Sequence, residues 1–119
     1  MEILRFRMIA ILIAQLLIFI VCASISAQDT TAPVGRIDIN KEQKVVTNRF
    51  VPLKIEANDE NGIKRMCLSN TDTCPEWQAY QKDIVWVLSA GDGIKTVHLW
   101  VEDKAGNVSH TTDYIRLQE

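Results

Sequence analysis

From residue 34 onward the chain alternates. In Thr96–Glu102, Val97, Leu99 and Val101 fall on one parity and His98, Trp100 and Glu102 on the other. Phe50–Ala57 repeats the pattern, with Val51, Leu53, Ile55 and Ala57 opposed to Lys54 and Glu56. A period of two belongs to a half-buried β-strand, and no stretch of the body sustains a helical period. Further short runs cover 34–39, 44–47, 63–69, 77–80, 83–88 and 108–117. Turn-forming clusters separate them: Asp59-Glu60-Asn61-Gly62, Gly91-Asp92-Gly93 and Asp103-Lys104-Ala105-Gly106-Asn107. Short strands at this spacing predict an all-β chain folded as one antiparallel β-sandwich of about seven strands. The expected core is Ile37, Leu53, Ile55, Met66, Leu68, Trp86, Leu88, Val97, Leu99, Val101, Ile115 and Leu117. Pro52 has no N–H to give a ladder, so it predicts an edge or a bulge within its strand.

The first 27 residues are different. Arg5 and Arg7 precede an apolar run from Met8 to Ala23, and Ser24-Ile25-Ser26-Ala27 leads into a polar segment. A basic start, an apolar stretch and small residues at its end spell a secretory signal peptide, helical in its apolar part. Cleavage is expected after Ala27, with Ala23 as the other site. An uncleaved anchor is the alternative, since the run approaches the ~20 residues of a spanning helix. Both readings put the body outside the cytoplasm, secreted, periplasmic or on the cell surface, because Arg5 and Arg7 hold the N-terminus inside. The membrane is then a partner only through this segment. Residues 28–34 read as a linker and 35–119 as the domain.

Removing the leader changes the cysteine count. Cys22 goes with it, leaving Cys67 and Cys74. In an oxidising compartment this even pair predicts a disulfide closing the loop Asn70–Pro75. A metal pair is the rival, but His98 and His110 lie far along the chain. The leader also takes Arg5, Arg7 and Glu2 from totals of 13 Lys+Arg and 15 Asp+Glu, so the body holds 11 against 14. That balance argues against a nucleic-acid partner.

The run Gly91-Asp92-Gly93-Ile94-Lys95-Thr96-Val97, followed by Val101-Glu102-Asp103-Lys104-Ala105-Gly106-Asn107, resembles the C-terminal half of a bacterial Ig-like repeat module. Thr31-Ala32-Pro33 resembles the entry of such modules, and Asp59 with Asn61-Gly62-Ile63 their central corner. The resemblance spans nearly all of residues 30–118. It implies an immunoglobulin- or fibronectin-type sandwich in a secreted or surface protein. The chain departs from the pattern in carrying one module, two cysteines, and His98 and Trp100 on an outer face. In the turn motif, Asp103 should accept backbone N–H groups while Gly106 takes a conformation closed to other residues, with Asn107 ending the turn; Asp59 and Gly62 repeat the design.

Four functional readings follow. The first is a non-catalytic module mediating interaction with a protein or a cell-surface polymer. The second is carbohydrate binding through exposed aromatics, with His98 and Trp100 as the candidate ligand face. The third needs no cofactor other than Ca2+: the turns at Asp59 and Asp103 should lie at the same end as Asp29, so hard oxygen ligands from Asp29, Asp59 and Asp103, with Glu60 and Asn107 nearby, would converge. The fourth, an enzyme, lacks a catalytic constellation, because neither a nucleophile elbow nor a zinc-protease pair is present and His98 and His110 are the sole imidazoles. The sequence therefore predicts no catalytic residue.

Overall fold

The computed structural model describes residues 29–41 and 43–119, and the expected signal helix lies outside them. Seven strands follow one another: β1 Val34–Ile39, β2 Val45–Val46, β3 Phe50–Asn58, β4 Ile63–Ser69, β5 Asp83–Val87, β6 Gly93–Asp103 and β7 Val108–Leu117. They form two sheets, one in the order β1-β3-β5 and one in the order β2-β7-β6-β4. Facing sheets with alternating inward residues make an immunoglobulin-like β-sandwich.

The inward parities meet between the sheets. Ile39, Val51, Leu53, Ile55, Met66, Leu68, Leu88, Val97, Leu99, Val101 and Ile115 form the core, with Leu117 also buried. Two expected core residues sit at its rim instead. Ile37 and Trp86 are half-buried and pack against the cluster, whereas Ile39 and Val51 fill its interior. Trp86 stays at the margin, where its indole N–H donates to Asn70 Oδ1 at 2.8 Å.

Three further expectations need correction. Pro52 lies in β3, the middle strand of its sheet, where no bulge occurs. Its carbonyl accepts the Asn40 N–H at 2.8 Å, so its ring nitrogen faces the point where β1 ends. The missing donor falls just beyond the last paired residue of β1, Ile39, and leaves the ladder to β5 intact. The register shift is found in β4, between Ile63 and Arg65. The segment 77–80 is not a strand; it touches the sheet through one bridge, Met66 to Gln78. Finally, the sandwich is not wholly antiparallel. The chain leaves β1 through Asn40 (φ 57°) and Lys41 (φ 53°), both left-handed, and crosses to the other sheet, where β2 pairs in parallel with β7. Asp113 of β7 closes this crossing, accepting the Ile39 N–H at 3.0 Å and standing 3.8 Å from Lys44 Nζ.

The segment between β4 and β5 carries the chain from one sheet to the other. Cys67 and Cys74 are joined by a disulfide across its first part, with Cα atoms 6.0 Å apart. Tyr80 secures its second part: the phenol oxygen accepts the Ala57 N–H at 3.2 Å and donates to the Ile55 carbonyl at 3.1 Å.

Candidate functional site

Two side-chain clusters and one strand edge stand out. The first cluster lies at the pole where the entry segment meets two turns. The turn before β4 bends at Asp59, whose Oδ1 accepts the Asn61 N–H at 2.9 Å while its carbonyl accepts the Gly62 N–H at 3.1 Å. The β6–β7 turn bends at Asp103, whose carboxylate accepts from the backbone of Ala105 and Asn107 at 2.9 and 2.8 Å. Gly62 (φ 84°) and Gly106 (φ 95°) take the left-handed conformations that complete the turns. The entry segment is tied in by Asn61 Nδ2, 2.6 Å from Asp29 Oδ2, and by Asn107 Nδ2, 3.3 Å from the Asp29 carbonyl.

One carboxylate oxygen each from Asp29, Asp59 and Asp103 thereby lies within 4.8 Å of the others. Asp103 is fully buried and the other two are partly exposed. Burial disfavours ionisation of Asp103, but the side-chain and backbone hydrogen bonds from Asn107 and the backbone bond from Ala105 outweigh it. Its carboxyl is held below the ordinary range. Three acidic oxygens at this spacing have the chemistry of a hard-cation site. Glu60 is exposed and outside the group, though it lines the same shallow depression as Asp29 and Asp59. Asn107 serves the Asp103 carboxylate and the Asp29 carbonyl as a donor.

The second cluster is on the outer face of the four-stranded sheet. The β6–β7 register sets Trp100 opposite His110, with His98 one diagonal step away. The Trp100 and His110 rings are parallel within 3° at a centroid distance of 4.5 Å. His98 Nδ1 and His110 Nε2 are 3.0 Å apart and hydrogen-bonded, with the imidazole planes within 14°. Sequence reading placed His98 and Trp100 on this face but treated His110 separately. Counting outward from the Asp103–Asn107 turn would have paired it with Trp100. Trp100 offers no open flat platform, because His110 covers part of its ring. Among the described residues no carboxylate hydrogen-bonds either imidazole.

Farther along the same face lies Glu102. It points outward, as its parity requires, yet is almost fully buried. Arg65 grips it with Nε at 3.2 Å and Nη2 at 3.0 Å, Lys64 Nζ stands at 3.5 Å, and the Arg65 guanidinium lies over the Trp77 ring at 4.4 Å. The Arg65 hydrogen bond holds the Glu102 carboxyl below the ordinary range against the opposing effect of burial.

The strand edge is β5. It pairs on one side, with β3, and the odd-numbered residues Asp83, Val85 and Val87 turn their backbone groups to the open side. Asn70 Nδ2 takes the Val87 carbonyl at 3.1 Å, which leaves Val85 at the centre of the open stretch. Beyond the charged pair Lys54–Asp83 at one end, the outward side chains beside this edge are apolar. Phe50 is 62% exposed and Val85 67%, and the cross-strand pairs Phe50–Val87 and Pro52–Val85 make them one patch.

No protein-family model and no curated protein matches the chain. Among solved structures it is similar to the PKD1 domain of Vibrio anguillarum Epp, at 19% identity and a TM-score of 0.55, covering 76% of this chain and 98% of that one. It is likewise similar to the PKD1 domain of the Vibrio cholerae metalloprotease PrtV, at 20% identity and a TM-score of 0.57, covering 75% of this chain and 100% of that one. At this identity the shared property is the fold. That fold is an Ig-like β-sandwich.

Proposed function

We propose that the chain is an extracytoplasmic, non-catalytic module that holds another protein or a cell-surface polymer. The observation that carries this reading is the open edge of β5 with its outward apolar patch. An edge strand with free backbone groups is a template for an added strand, and natural edges are usually shielded by charge or a covering loop. Here the charge is confined to one end, at Lys54 and Asp83, and the remaining side chains beside the edge are Phe50, Pro52, Val85 and Val87. The leader sequence and the Cys67–Cys74 disulfide support the compartment. The resemblance to PKD1 domains supports a module rather than an enzyme. A photo-crosslinker at Val85 of the full chain, exposed to culture medium or envelope fractions, should capture one discrete partner. Val87→Lys should abolish capture while leaving the melting temperature near wild type. Failure to crosslink, or capture indifferent to Val87→Lys, would overturn the reading.

A second reading concerns the pole. The convergence of Asp29, Asp59 and Asp103 favours a module stabilised by Ca2+. A cation bound by the folded state alone raises the melting temperature with its concentration. The rise should disappear in Asp59→Asn. A melting temperature that ignores calcium would dispose of this reading.

A further inference from the structure

We propose that His98 and His110 form a two-imidazole site for a borderline divalent transition ion, with Cu2+ the preferred member of the class. The pairing is built into the hairpin. β6 and β7 remain in register over ten residue pairs, from Gly93–Leu117 to Glu102–Val108, so the diagonal relation of the two histidines is fixed by the most extensive ladder among the described residues. Trp100 stacks parallel to both rings, at 4.5 Å from His110 and 5.7 Å from His98.

The nitrogen separation suits a metal. Two nitrogens each about 2.0–2.1 Å from an ion, at angles between square and tetrahedral, stand roughly 2.9–3.4 Å apart. His98 Nδ1 and His110 Nε2 are 3.0 Å apart, at the square end of that range. A change in the side-chain torsions of the two residues would turn both lone pairs from each other toward one ion. The proton now shared between the rings transfers to the other nitrogen of the ring that carries it. Each imidazole then remains neutral, with one N–H, and no proton need leave the pair. Imidazole donors and a near-square angle favour Cu2+ over Zn2+ and Ni2+ in the ordinary order of affinities. The remaining positions would be filled by water, since the flanking outer-face residues Ser69 and Thr112 offer hydroxyls rather than carboxylates. The site is therefore distinct in chemistry and place from the acidic pole, which suits hard cations.

The chain contains two histidines in all, which makes the test direct. Titrating the full chain with Cu2+ alone, and counting coupled imidazole nitrogens by electron paramagnetic resonance, should give two nitrogens at one ion per chain. Emission from Trp100 should be quenched over the same range. His98→Gln and His110→Gln should each leave one coupled imidazole and weaken binding on the order of 10²-fold, the gain expected from a second donor held in place. One or no coupled imidazole in the wild-type chain would overturn the proposal whatever the variants do. So would wild-type affinity in either variant.

Discussion

Asn107 donates to both oxygens of the Asp103 carboxylate. Its backbone N–H reaches Oδ1 at 2.8 Å and its side-chain amide reaches Oδ2 at 3.0 Å. The Ala105 N–H shares Oδ1 at 2.9 Å, and the Asp103 N–H itself donates to the Asn107 carbonyl at 3.0 Å. The spacing of Asp103, Gly106 and Asn107 is thereby explained. An acceptor of several N–H groups must come first, a left-handed glycine must reverse the chain, and a donor must return to the acceptor.

This ring of bonds makes the turn acid-sensitive. The Asp103 carboxyl is held below the ordinary range of about 3.9, so its ionised form contributes stability that is complete above that range. The contribution is lost as pH falls through the lowered value. Asp103→Asn should melt below wild type at neutral pH, and the gap should close as pH drops below about 4. Thermal melts between pH 7 and pH 2 check this; a gap that widens in acid would contradict it.

Leu99 is fully buried at the middle of β6, facing the three-stranded sheet. Leu99→Ala should cost about 2–5 kcal/mol by urea unfolding, the range for a cavity left in a packed core.

Tyr80 bonds two backbone groups of β3 with one hydroxyl. Tyr80→Phe keeps the ring but strands the Ala57 N–H and the Ile55 carbonyl. A loss of about 1–3 kcal/mol is expected, with faster amide exchange at Ala57.

The disulfide closes a loop with a sequence separation of 7. The chain-entropy relation gives so small a ring about 2.5 kcal/mol. Replacing both Cys67 and Cys74 by Ser should lower stability by about that amount. Alkylation of the unreduced native protein should label neither cysteine.

How much of this could be read from the chain depends on distance along it. Val97, Leu99 and Val101 were assigned to the core because strand parity is local. Asp59 and Asp103 were assigned to turns because glycine follows each at short range. Pro52 was misjudged because its effect depends on where β1 stops, which is settled by the crossing at Asn40 and Lys41. Parity also gives the outward direction of Glu102, but not its burial, which comes from Arg65 across the sheet. The pairing of His98 with His110 was accessible in principle, since one hairpin register fixes it. The parallel seating of β2 against β7 was not, because Val45 and Arg116 carry no local sign of each other.

β7 also has a bearing on when the fold can form. It is ladder partner to both β6 and β2, and its Asp113 receives the end of β1. A polypeptide delivered N-terminus first exposes β1 and β2 long before β7 emerges. Until then the β1 crossing has no anchor and β6 lacks half its ladder. The finished sandwich must therefore wait for residues 108–117, which hold β2, β6 and the end of β1 together.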